Sequence, residues 1–194
     1  MNIMMIRHPV TKANIEGLVQ HNIEGELEMR GYDQIIKLIK RLEYEEVDGL
    51  YSSDAYRCRV LTERIAQSKG IIVTYDALFR EIDNGNWAGK KKAEIERLTL
   101  EDAENFRPPN GESLVDLAKR AEEGFQLIMG SGKNRCILVS HGWFLKIFLG
   151  NQLGLKPLTA IKELKFSNCA ISEIRLTKDG CMIEYLNNRD YLKC

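Results

Sequence analysis

The chain alternates short apolar runs with amphipathic stretches, and this alternation constrains the fold more than any other feature of the sequence. Short apolar runs bounded by polar residues predict buried strands at residues 3–6, 47–51, 71–75 and 136–139. Helical periodicity predicts helices over residues 32–42, 54–67, 93–98 and 143–149, and another that begins after Ser113. Residues 170–176 and 181–186 predict a β-hairpin near the end of the chain.

Strands that alternate with helices favour an α/β fold with three layers, α/β/α, around a mostly parallel central sheet. The hairpin adds an antiparallel edge to that sheet. A length of 194 residues fits one domain that spans residues 1–194. Hydrophobic residues at 44% and charged residues at 29% exclude a disordered or low-complexity chain.

The charge balance limits the kinds of partner that the chain can have. Lys and Arg number 28 and Asp and Glu number 28, so the formal net charge is zero. Without a broad basic surface, neither nucleic acid nor a membrane is an expected partner. The apolar runs are also too short to cross a bilayer. The expected partner is a small molecule, and the sequence does not indicate an oligomeric state.

Two features favour a cytoplasmic location. The five cysteines are odd in number and form no C-x-x-C pair, which is typical of a reducing compartment. The opening apolar segment ends at Arg7 and His8, too soon for a signal peptide.

Side chains that can bind anions or take part in catalysis follow the predicted strands, at the point where each strand ends. Arg7 and His8 follow the first strand, Arg57 the second, Glu81 the third and His141 the fourth. Ligands of open α/β sheets bind beyond the carboxyl ends of the strands. We therefore expect two arginines, two histidines and a carboxylate to meet at one edge.

This set of side chains suits phosphoryl chemistry. Two arginines can bind a tetrahedral anion through forked, charge-assisted hydrogen bonds. The sequence has no P-loop, no G-x-G-x-x-G and no early D-x-D pair for magnesium, and a metal-free route needs a nucleophile from the protein. A neutral histidine can attack phosphorus, and a carboxylic acid can protonate the leaving oxygen.

Two other kinds of site, a cysteine phosphatase loop and a zinc site, match parts of the sequence. Cys58 and Arg64 have the C-x5-R spacing of a cysteine phosphatase loop, but the stretch between them lacks glycine and has helical character. His8, His21 and His141 could bind zinc by residue type, although no pair has the local spacing of a zinc site. Neither pattern is specific.

The motifs resemble, in order along the chain, those of the histidine phosphatase superfamily, phosphoglycerate mutase-like, in its short phosphatase branch. The segment R-H-P-V-T-K-A-N resembles the family pattern R-H-G-x-[ST]-x-x-N, and Y-S-S-D-A-Y-R resembles Y-S-S-D-x-x-R. G-E-S and V-S-H-G also occur. The matching segments are residues 7–14, 51–57, 78–89, 111–113 and 139–142, with a short match at 186–187.

The resemblance implies a histidine acid-type phosphatase, a phosphoric monoester hydrolase that uses no cofactor or metal. His8 would be the nucleophile and Glu81 the general acid. The remaining implied roles are phosphoryl binding and polarisation by Arg7, Arg57 and His141, and phosphate or substrate contact by Thr11, Asn14, Gln20 and Gly142. Capping of a turn explains Thr11 and Asn14 equally well.

Two departures from the family pattern concern the site. Pro9 replaces the glycine after the nucleophile and has no N–H, so it excludes both a left-handed turn and a backbone donor there. We expect this change to affect the catalytic rate rather than the fold. Trp143 replaces a residue that is commonly small and is expected to narrow the pocket.

Three functions remain open at this stage. The favoured one is hydrolysis of a small phosphorylated metabolite through a phosphohistidine on His8, with inorganic phosphate as product. The second is a mutase-type phosphotransferase, whose relatives usually carry a longer insertion than the 29 residues between Glu81 and Gly111. The third is a phospho-ligand-binding module with weakened catalysis. The physiological substrate does not follow from the sequence.

Overall fold

A computed structural model describes residues 1–20, 25–95 and 102–193, which form six helices and six strands. The helices are α1 (Lys12–Glu16), α2 (Met29–Leu42), α3 (Tyr56–Lys69), α4 (Leu114–Met129), α5 (Gly142–Gln152) and α6 (Pro157–Glu163). The strands are β1 (Asn2–Arg7), β2 (Gly49–Ser52), β3 (Val73–Tyr75), β4 (Arg135–Ser140), β5 (Ile171–Thr177) and β6 (Gly180–Asn188).

The described strands form one sheet in the order β3-β2-β4-β1-β5-β6. Pairings among β3, β2, β4 and β1 are parallel, whereas β5 and β6 pair in the antiparallel sense. The crossovers between the parallel strands run through helices, as parallel pairing requires. The predicted α/β class, with a mostly parallel sheet and an antiparallel edge, is confirmed.

Helices cover both faces of the sheet, and β1 shows how its residues divide between them. Ile3 and Met5 pack into a core cluster with residues of α4, α5 and α6. Met4 and Ile6 pack into a second cluster with residues of α2 and α3. Successive side chains of a strand point to opposite faces, so an uninterrupted apolar run can serve both clusters.

Local sequence signals fix the ends of the main helices. A capping box begins α4: the Ser113 hydroxyl accepts from the Asp116 N–H, and the Asp116 carboxylate accepts from the Ser113 N–H. Helix α3 ends at Gly70, whose φ of 65° is the left-handed conformation that glycine adopts without strain.

The register of the parallel strands aligns their carboxyl ends. Arg7 lies opposite Ser140 across β1 and β4, and Ser52 lies opposite Val139 across β2 and β4. The first residue beyond each strand continues this alignment, because the His8 N–H donates to the Ser140 carbonyl at 2.9 Å and the Ser53 N–H to the Val139 carbonyl at 3.0 Å. The chain segments that leave β1, β2 and β4 therefore begin side by side.

Some elements differ from the prediction. Helix α1 is only five residues long and has no buried residue, so it leaves no apolar periodicity to detect. Helix α6 was also missed; it has seven residues and begins at a proline. Instead of a helix over residues 93–98, Lys92–Glu94 form a 3-10 turn, and residues 96–98 lie outside the described ranges. None of the described helices has the length and apolar character that a membrane span requires.

Candidate active site

A cavity of about 530 Å³ opens at the carboxyl ends of the parallel strands. Of the residues proposed for the chemistry, it is lined by Arg7, His8, Arg57 and Glu81, whereas His141 is fully buried and is not among the lining residues. The other lining residues are Asn14, Leu18, Val19, Gln20, Ile82, Asn84, Lys92, Ile95, Gly142, Trp143, Lys146, Lys165, Phe166 and Ser167.

His8 is only 2% exposed, and the main chain fixes the orientation of its ring. Its Nδ1 lies 2.7 Å from the Pro9 carbonyl oxygen. Because a carbonyl can only accept, Nδ1 carries the proton and the lone pair of the neutral ring is on Nε2. Burial, together with the charges of Arg57 and Arg7, holds the pKa of His8 well below its ordinary value of 6.5. His8 is therefore neutral near pH 7.

Two arginines flank this ring, Arg57 buried and Arg7 partly buried. Arg7 ends β1, and its Nη1 donates to the Phe166 carbonyl at 2.8 Å. Arg57, in the first turn of α3, is 1% exposed, and its Nε donates to His141 Nδ1 at 3.2 Å. Burial lowers the pKa of both arginines, but a guanidinium stays charged in proteins. The cavity therefore holds two fixed positive charges beside His8.

His141 follows β4, and its ring centroid lies 5.3 Å from that of His8. Protein groups engage both of its nitrogens. Nδ1 accepts from Arg57, so Nε2 carries the proton, and it lies 2.8 Å from the Ser53 hydroxyl oxygen. Burial and the charge of Arg57 hold the pKa of His141 well below 6.5. His141 thus contacts the Arg57 guanidinium, and it is not among the residues that line the cavity.

Glu81 lies at the N-terminus of α5. Its Oε2 accepts from the Trp143 N–H at 3.1 Å, and its Oε1 accepts from the Phe144 N–H at 2.9 Å. The first amide groups of a helix have no partner within the helix, so they can donate to the oxygens of Glu81. Helix α5 thus holds the carboxyl group at the wall of the cavity.

Thr11 and Asn14 form the cap of α1. The Thr11 hydroxyl accepts from the Asn14 N–H at 3.2 Å and donates to Gln20 Oε1 at 3.0 Å. Thr11 is fully buried and does not line the cavity, whereas Asn14 and Gln20 do. The structure therefore places Thr11 in a cap, and Asn14 in both the cap and the cavity wall.

Two buried donors in the cavity wall have no acceptor among the residues that the structure describes. They are Arg7 Nε and Asn14 Nδ2. The amide oxygen of Asn14 accepts from the Thr11 N–H and from Asn168 Nδ2, which leaves its nitrogen side toward other groups. An unsatisfied buried donor is costly, and phosphoryl oxygens are strong acceptors. These two atoms fit a phosphate ester.

Gly142, the first residue of α5, lets the helix approach Arg7 closely. A Cβ at this position would lie 3.3 Å from Arg7 Cζ and 3.4 Å from Arg7 Nε. The absence of a side chain therefore keeps the guanidinium of Arg7 beside the helix N-terminus. This is a spatial explanation for the glycine in the V-S-H-G motif.

Three lysines of the wall were not singled out from the sequence. Lys92, Lys146 and Lys165 line the cavity, and the Lys146 ammonium donates to the Ile161 carbonyl at 2.5 Å. Burial and the charge of Arg7 lower the pKa of both Lys92 and Lys146. Glu81 is the single carboxylate among the described residues that line the cavity, so the described part of the wall carries an excess of positive charge.

The surroundings of Cys58 do not suit a nucleophile. It is fully buried in α3, and its thiol lies 3.7 Å from the Ser140 carbonyl oxygen. Burial raises the pKa of Cys58 to about 12, so the thiol stays protonated near pH 7. The zinc alternative includes His21, which lies outside the described residues.

Comparisons with known proteins identify the family and fold of the chain. A family model described as "Histidine phosphatase superfamily (branch 1)" matches residues 3–189. A protein of Citrobacter koseri named "Probable phosphoglycerate mutase GpmB" is 32% identical over 189 residues, which cover 90% of this chain and 84% of that protein. The alpha-ribazole phosphatase from Shigella flexneri has a TM-score of 0.84 at 22% identity, covering 97% of this chain and 96% of the other. A mycobacterial glucosyl-3-phosphoglycerate phosphatase has a TM-score of 0.86 at 22% identity, and the match covers 97% of this chain and 99% of the other.

Proposed function

The chain belongs to branch 1 of the histidine phosphatase superfamily, and we propose that it hydrolyses small phosphomonoesters through a phosphohistidine on His8. One observation carries the proposal: a buried, neutral His8 shares a cavity with Arg7, Arg57 and Glu81. Its Nδ1 is held by the Pro9 carbonyl, and Nε2 makes no hydrogen bond to the residues that the structure describes. Nε2 is therefore the nucleophilic atom.

The first step transfers the phosphoryl group to the protein. The lone pair of His8 Nε2 attacks phosphorus while the bond from phosphorus to the ester oxygen breaks. Arg7 and Arg57 stabilise the charge on the phosphoryl oxygens, which is the largest contribution in this kind of reaction. Protonated Glu81 gives its proton to the departing oxygen, so the product leaves as a neutral alcohol.

The second step regenerates the enzyme. Water attacks the phosphohistidine, the carboxylate of Glu81 accepts one of its protons, and the bond between phosphorus and Nε2 breaks. Inorganic phosphate and free His8 result. Pro9 is compatible with this cycle because it contributes a carbonyl to His8, and its missing N–H is not needed for that contact.

The shape and charge of the cavity define the substrate more closely. Lys92, Lys146 and Lys165 supply positive charge beyond the two arginines, which suits a phosphate ester whose remaining part is also anionic. Apolar side chains, among them Leu18, Ile95 and Phe166, can contact a carbon skeleton. A panel of phosphorylated metabolites, assayed by phosphate release, would identify the preferred ester.

Two measurements test the mechanism. Phosphate release should persist in excess chelator, because the proposal assigns charge stabilisation to the arginines. Loss of activity with EDTA that zinc or magnesium restores would contradict it. Mass spectrometry after a quench that preserves acid-labile phosphate should find the phosphoryl group on His8, and finding it on Cys58 or Ser140 would refute the assigned nucleophile.

A mutase-type phosphotransferase is the second candidate, and the Citrobacter koseri relative favours it by name. A mutase must exclude water from its phosphoenzyme while the substrate reorients, whereas a phosphatase must admit it. The short stretch between Glu81 and Gly111 offers little chain for a lid. Formation of 2-phosphoglycerate from 3-phosphoglycerate and a bisphosphorylated primer, faster than release of phosphate, would replace the phosphatase proposal.

A binding module with weakened catalysis is the third candidate. It differs from the phosphatase in one observable, the turnover of a generic phosphate ester. Binding of phosphate without turnover of any ester in the panel would favour this candidate.

A further inference from the structure

Arg120 of α4 is the centre of a hydrogen-bond cluster on the outer side of the Glu81 segment. Its Nη1 donates to the carbonyl oxygens of Leu78 and Arg80, at 2.9 and 2.7 Å. Its Nη2 donates to the Glu81 carbonyl at 3.1 Å and to Glu112 Oε2 at 2.7 Å, and its Nε donates to Glu112 Oε1 at 2.8 Å. A guanidinium has five N–H donors, and all five are used.

Glu112 extends this cluster along the same segment. Its Oε2 also accepts from the Asp83 N–H at 2.9 Å, and its own N–H donates to the Asp83 carbonyl at 2.8 Å. The pair of Arg120 and Glu112 therefore holds the main chain on both sides of Glu81. No sequence motif had indicated Arg120, because three of its five acceptors are backbone carbonyls.

Arg120 also reaches the side-chain end of Glu81 through Phe144. The guanidinium carbon lies 5.7 Å from the centre of the Phe144 ring, and the Phe144 N–H donates to Glu81 Oε1. Main chain and carboxylate of Glu81 are thus both fixed relative to α4 and α5. Few degrees of freedom remain for the proton donor.

We propose that Arg120, together with Glu112, is a positioning residue that holds the Glu81 carboxyl group at the leaving oxygen of the substrate. The proposal rests on the proposed function, because it needs Glu81 to act as the general acid. A displacement of about 1 Å in a reacting group can cost about 100-fold in rate. A general acid is needed most by poor leaving groups, so loss of position should affect those substrates selectively.

The test compares an alkyl phosphate, which has a poor leaving group, with p-nitrophenyl phosphate, which has a good one. In Arg120→Lys the charge remains, but an ammonium has three donors and cannot reach all five acceptors. We expect kcat/KM to fall at least about tenfold for the alkyl phosphate and less than about threefold for p-nitrophenyl phosphate. Glu112→Gln should show the same selectivity to a smaller degree.

Arg135→Lys is the matched control. Arg135 begins β4, at the opposite end of the strand from the site, and its Nη2 contacts Glu45 Oε2 at 2.6 Å. This substitution weakens an Arg–Glu ion pair away from the cavity, and kcat/KM should stay unchanged for both substrates. Thermal unfolding of all variants reports whether a rate change follows a general loss of stability.

Combination with Glu81→Gln separates this proposal from the proposed function. Once the acid is absent, Arg120→Lys should produce no further leaving-group selectivity. Equal loss on both substrates in Arg120→Lys, or no loss, overturns the positioning role while the phosphatase proposal stands. If wild-type protein turns over neither ester, or if Glu81→Gln itself shows no selectivity, the general acid is wrong and the positioning role is overturned with it.

Discussion

The carboxyl ends of β1 and β4 are neighbours in the sheet and each delivers a histidine, yet the two rings are held in different ways. Both His8 and His141 are buried, and the charge of Arg57 together with burial lowers the pKa of each. The difference lies in the hydrogen bonds. His8 is held through Nδ1 by a main-chain carbonyl, whereas both nitrogens of His141 contact side chains, those of Arg57 and Ser53.

This comparison shows how one residue type can serve two purposes in one site. A histidine that is bonded through a single nitrogen retains a lone pair for chemistry, and one that is bonded through both is a structural support for its neighbours. The assignment depends on hydrogen-bond partners more than on exposure or on pKa.

The largest expected effect separates the two histidines directly. His8→Asn should lower kcat/KM by at least about 10⁴-fold, because the covalent step is lost. His141→Asn should lower it by only about 100-fold, because the charge of Arg57 remains and only its orientation is impaired. Steady-state kinetics on one ester measures both. Losses of similar size would contradict the distinction.

The next effect concerns the arginines beside these rings. Arg7→Lys and Arg57→Lys should each lower kcat/KM by about 100-fold, because an ammonium keeps the charge and loses the fork that fits phosphoryl oxygens. Arg59→Lys, on the exposed face of α3, is the control and should leave turnover unchanged. Normal kinetics in both site variants would mean that the two arginines are structural.

A smaller effect sharpens the role of His141. Ser53→Ala removes the oxygen that lies 2.8 Å from His141 Nε2, so the ring and with it Arg57 lose one restraint. We expect kcat to decrease about tenfold. KM should change little, because groups other than Ser53 and His141 bind most of the substrate. In a His141→Asn background the Ser53→Ala change should have no further effect. Additive losses would show that Ser53 acts independently.

The smallest effect is on stability. Both histidines have folded-state pKa values below the ordinary value of 6.5, so the unfolded chain binds more protons as the pH falls below 6.5. The free energy of unfolding should then decrease, by at most about 1.4 kcal/mol per pH unit for each histidine. Urea unfolding at several pH values measures the slope, which His8→Asn and His141→Asn should each reduce. A slope unaffected by both variants would contradict the pKa directions.

The sequence predicted the fold class because its periodicity is strong where burial is strong. Strand β1 and strand β4 are buried along nearly their whole length, and their apolar runs are unmistakable. The short helices α1 and α6 were not predicted, because five or seven residues provide too few turns for an apolar face to be recognised.

The site was partly predictable for a related reason. The ends of strands can be recognised in a sequence, and ligands of open α/β sheets bind there. This rule predicted that Arg7, His8, Arg57 and Glu81 lie together, and all four line one cavity. A lysine that lines a cavity is indistinguishable in sequence from one on the surface, which is why Lys92, Lys146 and Lys165 were missed. The hydrogen bonds of His141 to Arg57 and Ser53 are side-chain contacts, which periodicity does not encode. The catalytic roles themselves remain predictions.

The paired register of β1 and β4 also determines where the chain can change its length. Deletion of one residue from β1 would turn every later side chain of the strand to the opposite face, and His8 would leave the cavity together with the core residues. The turn between β5 and β6, at Lys178 and Asp179, lies at the far edge of the sheet order and fixes no residue of the cavity. Insertions, fusions and new termini therefore belong in that turn.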